Sequence, residues 1–103
     1  MKPMDNGKVF EGLIKICRAN GMKVLFAPFD GYYGRLYNKR VGIANDMSLE
    51  DINKTLAHEI AHAFLHYDKG DIVDNKDSSY EEQADRAAAM LLNAIQIVGG
   101  AQG

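Results

Sequence analysis

The sequence predicts an α+β domain in which three helices pack on a small three-stranded antiparallel sheet. Three observations lead there. Apolar residues recur at three- and four-residue spacing near both ends of the chain and again in its middle. Short β-leaning runs are confined to residues 22–44. Two short connections in a row join those runs, which favours an antiparallel meander.

The first helix is expected from about Asn6 to Ala19, with Val9, Leu13, Ile16 and Cys17 on one face. Asp5 is its N-cap, and Asn20-Gly21 stops it, because glycine accepts a left-handed conformation. Met22–Ala27 is the first strand, closed by Pro28. Asp30-Gly31 is a turn signal, Tyr32–Tyr37 has aromatic strand character, and Asn38-Lys39-Arg40 turns the chain into Val41–Ala44. Ser48, with Asp51 three residues on, resembles a capping box that opens a helix to about Tyr67. Asp68-Lys69-Gly70 ends that helix, and a polar loop runs to about Asp77. Ser78 or Ser79 caps the last helix, whose apolar positions are Ala84, Ala87, Ala88, Leu91, Leu92, Ile95 and Val98.

Composition narrows the function classes. The chain has 103 residues, enough for one core: a single domain over residues 1–98 and a small frayed tail at 99–103. Its 12 basic and 14 acidic residues leave a net charge of −2 with no polybasic run, which argues against direct nucleic-acid binding or an anionic membrane surface. The lone Cys17 excludes an internal disulfide and, on the apolar stripe of the first helix, reads as core. The N-terminus has no apolar stretch of signal-peptide type, and no apolar run approaches the roughly 20 residues of a membrane helix. A cytoplasmic protein is the expectation.

The chemistry is concentrated in His58-Glu59-Ile60-Ala61-His62, inside the middle helix. Residues four apart lie one turn above each other, so both imidazoles can reach one ion. Glu59, next to them around the helix, can meet a water held by that ion. This is the arrangement of two ligands and a base used in zinc peptidases. Random ordering of the chain's three His and five Glu produces it in only roughly 0.3% of arrangements.

A catalytic zinc site needs a third protein ligand and an open fourth position. His66 does not serve, because it lies eight residues from His58, about 12 Å along the helix. A metzincin pattern would need Gly three residues before a third His at position 68, which is Asp. The start of the last helix offers Glu81 and Glu82. Glu81 shares a face with Ala84, Asp85, Ala88 and Leu92, whereas Glu82 shares its face with Arg86 as a solvated pair; Glu81 is therefore the first candidate and Glu82 the second. Asp85, one turn deeper, can accept the free N–H of a ligand histidine and fix its tautomer.

The segment Leu56–His66, followed by Glu81-Glu82-Gln83-Ala84-Asp85 and Ala88-Ala89-Met90-Leu91-Leu92, resembles the ImmA/IrrE family of metallo-endopeptidases, common in prophages and mobile elements. The likeness spans roughly residues 22–92. It implies a zincin-like catalytic core in which the His-Glu-x-x-His helix meets a Glu-bearing C-terminal helix. It further implies zinc held by His58, His62 and Glu81, Glu59 as catalytic base, and a helix-turn-helix transcriptional repressor of a phage or mobile element as the protein substrate. The chain departs from the family pattern at Ala87, often Phe, and at Asn93-Ala94, where Met-Pro often follows the paired leucines.

Several features are weighed beside that site. Tyr32, Tyr33, Tyr37, Tyr67 and Tyr80 are candidates to stabilise an oxyanion. Val41–Ala44 is a candidate sheet edge for an extended substrate. Asp68, Asp71, Asp74 and Asp77 lack the spacing of a calcium loop and read as solvated. Gly31, Gly34 and Gly42 form no phosphate-binding pattern and serve turns and tight strand packing. Met90 is expected near the metal-bearing helix. A second reading of the whole chain is a catalytically silent, zinc-stabilised binding module that acts as an antirepressor by contact, and a third is a metal-free helical adaptor. Glu59 favours the enzyme, since a structural metal site needs no base.

Overall fold

The computed structural model describes residues 5–28, 34–37, 39–65, 72–73 and 78–102. Its elements are α1 (Asn6–Ala19), β1 (Lys23–Ala27), β2 (Gly34–Tyr37), β3 (Arg40–Ala44), α2 (Leu49–Leu65), β4 (Ile72–Val73) and α3 (Ser78–Gln102). The local signals act where the sequence puts them. Asp5 accepts a hydrogen bond from the Lys8 N–H at 2.9 Å, and Ser48 Oγ accepts one from the Asp51 N–H at 3.2 Å. Asn20 caps the end of α1 and Gly21 takes the left-handed φ of 70°. α3 continues through Gln102, past the Val98 at which its apolar spacing ends.

The sheet is not the expected antiparallel meander. The described strands form one mixed sheet in the order β1-β3-β2-β4. β1 and β3 are parallel, from Lys23 opposite Arg40 to Ala27 opposite Ala44. β2 pairs antiparallel with β3 on one side and with β4 on the other. The reason lies in burial. Val41, Ile43 and Ala44 of β3 are almost fully buried, whereas β1 leaves Leu25 64% exposed. β3, more deeply buried than β1, is thereby covered by a strand on each side, which a meander centred on β2 would not do. The tight turn at Lys39, with φ 63°, makes β2 and β3 a hairpin. Val41–Ala44 is therefore an interior strand, and the reading of it as a substrate-accepting edge is overturned; β1 and β4 are the edges. β4 is only two residues long and falls inside the segment expected to be a loop.

Val9, Leu13 and Cys17 of α1, Leu56, Ala57, Ile60 and Ala61 of α2, Ala84 and Ala88 of α3, and Val41 and Ile43 of β3 form one core cluster. α2 packs against both β2 and β3 on one side and α3 on another. Small side chains at Ala84 and Ala88 let α3 come close enough for carboxylates on its first turns to reach α2. Asn53, buried in α2, donates from Nδ2 to the Asn6 carbonyl at 2.9 Å and ties the start of α1 to α2. Met90 does not pack near the metal-bearing helix: it is 70% exposed, because it lies about 200° around α3 from the buried Ala88.

Burial pushes the Cys17 thiol up from its ordinary 9.0 to about 11. Between those values the unfolded chain loses the proton and the folded chain keeps it. Stability is thus full below pH 9 and falls as pH rises towards 11, by on the order of 3 kcal/mol. Urea titrations at pH 8 and pH 10.5 should show this decline in the wild type, and Cys17→Ala should remove its thiol-dependent part.

Candidate metal centre

α2 and α3 bring four of the singled-out side chains together. His58 and His62, one turn apart on α2, set their rings edge to face with centroids 4.6 Å apart. Their Nε2 atoms lie 3.1 Å from each other. Glu81, in the first turns of α3, places Oε2 2.7 Å from His58 Nε2 and Oε1 3.0 Å from His62 Nε2. On the far side of the His58 ring, Nδ1 is 2.8 Å from Asp85 Oδ1. His62 is fully buried, His58 nearly so and Glu81 half-buried, while the Asp85 side chain is 74% exposed.

The donor set can be tested against a metal ion from these contacts alone. A carboxylate only accepts, so Asp85 requires the proton on His58 Nδ1 and leaves Nε2 with a lone pair. That lone pair points at a second imidazole nitrogen and at another carboxylate. His58 Nε2 and the Glu81 carboxylate, both electron-pair donors, therefore meet at 2.7 Å beside His62 Nε2, an arrangement that a bound cation reconciles. One ligand atom from each of His58, His62 and Glu81 falls within 4.8 Å of the other two. For metal–ligand bonds of about 2.0–2.1 Å, tetrahedral geometry sets ligand atoms about 3.3 Å apart, close to the separations seen. The residues fit a metal ion.

Glu59 has a different place. It is fully buried, with its carboxylate against Gly34 of β2. One residue on from His58, it projects about 100° around α2 from the face that meets α3. Glu82 lies outside the cluster: Arg86 donates to it at 2.7 Å in a well-exposed pair. His66, Tyr32, Tyr33, Tyr67 and the aspartates at 68, 71, 74 and 77 lie outside the described residues, as do the side chains of Tyr37 and Tyr80.

The family profile of the IrrE N-terminal-like domain, a peptidase family, matches residues 17–97, from the end of α1 through most of α3. The chain belongs to the ImmA/IrrE family. Membership supports a metallopeptidase-type function, and the matched region contains the whole cluster of His58, His62, Glu81 and Asp85. No curated protein matches the chain. Among the described residues of this ImmA/IrrE member, no helix is long and apolar enough to cross a membrane.

Asp85 contacts His58 Nδ1 and is not among the converging ligand atoms, so its loss should loosen the site without dismantling it. Asp85→Asn is expected to weaken metal affinity about 10- to 100-fold while leaving the fold intact. Competition with a chromophoric chelator measures this directly, and unchanged affinity would count against the orienting role.

Proposed function

We propose that this protein is a zinc-dependent endopeptidase that cleaves a protein partner, a helix-turn-helix transcriptional repressor of a phage or mobile element. The observation that carries the reading is the convergence of His58 Nε2, His62 Nε2 and the Glu81 carboxylate, with Asp85 behind His58. Membership of the ImmA/IrrE family supports the reaction class, and the repressor as substrate rests on the family resemblance.

His58, His62 and Glu81 would hold the metal, and Asp85 would keep His58 in the ligating tautomer. Zinc bound there supplies a Lewis acid that acidifies water and polarises a peptide carbonyl. Glu59 accepts a proton from the attacking water and delivers it to the leaving amine. Its burial keeps bulk water from competing for that proton.

The test is direct. Protein purified without chelator should contain about one zinc per chain and should cleave a helix-turn-helix repressor of a phage or mobile element. Clearly sub-stoichiometric zinc after reconstitution would sink the zinc reading. Repressor inactivation without cleavage would replace the enzyme by a contact antirepressor.

A further inference from the structure

Gly34 opens β2 at the point where the strand crosses α2, and it is buried. A Cβ placed on it would lie 2.7 Å from Glu59 Oε2, 3.1 Å from Glu59 Cδ and 2.7 Å from Thr55 Cγ2. Thr55 and Glu59 are one helical turn apart, so Gly34 sits in the notch between their side chains. The backbone at Gly34 does not itself require glycine, since Gly21 holds the left-handed conformation found among the described glycines. The requirement is one of space.

Neither neighbour yields readily. Thr55 is β-branched, and its χ1 is restricted within a helix. Glu59 is 0% exposed, so its carboxylate cannot swing into solvent. Nor can β2 lift away cheaply: Gly34 pairs with Ile43, a fully buried residue of the interior strand β3.

We propose that Gly34 is the positioning residue of the Glu59 carboxylate: its bare backbone lets β2 close against α2 and confines the carboxylate to one place. This rests on the assignment of Glu59 as the base. A side chain at position 34 would displace the carboxylate while leaving in place His58, His62 and Glu81, which meet about 100° around α2 from it. Misplacing a catalytic group by about 1 Å can cost about 100-fold in rate, so a single methyl at Gly34 should act on turnover rather than on metal binding.

The experiment is a double-mutant cycle of Gly34→Ala and Glu59→Ala in a Thr55→Ala background, which removes the methyl contact and isolates the carboxylate. Unfolding of the metal-free protein in urea is read first. Gly34→Ala should lower the folding equilibrium constant at least tenfold more with Glu59 present than with Glu59→Ala, where the new methyl has room. Equal losses in both backgrounds would overturn the proposal. The zinc-loaded proteins are read next. Relative to Thr55→Ala alone, Gly34→Ala should retain one zinc per chain, lower kcat about 10- to 100-fold and leave KM within about threefold. Unchanged kcat would overturn the positioning role even if the unfolding coupling were present. If wild-type protein binds zinc and cleaves nothing, the proposed function fails, whereas coupling in the metal-free cycle still upholds Gly34 as the residue that confines the Glu59 carboxylate.

Discussion

Glu59→Gln should leave the metal centre loaded and lower kcat for cleavage of the protein partner by about 100- to 10,000-fold, the range for loss of a general base. Glutamine matches glutamate in size, so the buried space between β2 and α2 stays filled and the variant should fold. What disappears is the capacity to accept a proton. Glu59 is not among the residues whose ligand atoms converge, so metal content should stay near one per chain. Metal analysis and single-turnover cleavage, run on the same preparation, separate the two properties. A variant that turned over at the wild-type rate would remove Glu59 from the mechanism. Repressor inactivation that survived without cleavage would favour the contact mechanism.

Removing the metal should abolish activity and also destabilise the fold. The cluster joins α2 to α3 beside the buried alanines Ala84 and Ala88 of α3. An ion held by residues of both helices binds the folded chain and has no preformed site in the unfolded one. With free zinc at a hundred times Kd, binding adds about 2.7 kcal/mol of stability. For a domain of this size, that corresponds to a fall in Tm on the order of 10–20 °C on chelation. Activity and Tm should return together when zinc is restored. His62→Ala should abolish the zinc-dependent part of both, because it removes a fully buried ligand candidate. A Tm in the variant that still rose with zinc would place the metal elsewhere.

Helices and caps were legible because their causes are local. Asp5, Ser48 and Gly21 act within one turn of the chain, and the apolar stripe Val9, Leu13 and Cys17 is a matter of helical spacing alone. The pairing of His58 with His62 has the same origin, since four residues make one turn. Even the preference for Glu81 over Glu82 could be read from helix faces, and the exposed contact of Glu82 with Arg86 agrees with it. The sheet was not legible in this way. Strand segments near β1, β2 and β3 were visible, but their order was not, because short connections permit both a meander and the insertion of β3 between its predecessors. The two residues of β4 carry too little pattern to separate from a loop. Met90 belongs to an apolar run in which every residue looks alike until the partner of α3 is known.

Spacing along the chain thus determined which residues share a helix face, and hence the candidate donors and base: His58, His62, Glu81, Asp85 and Glu59. Tertiary structure alone decided that β1 and β3 run parallel, that Val41–Ala44 lies inside the sheet, and that Gly34 meets the Glu59 carboxylate. Periodicity is a property of neighbours within a turn or two. Strand order and close approach depend on which buried surfaces win the interior, a competition settled only when the whole chain has packed.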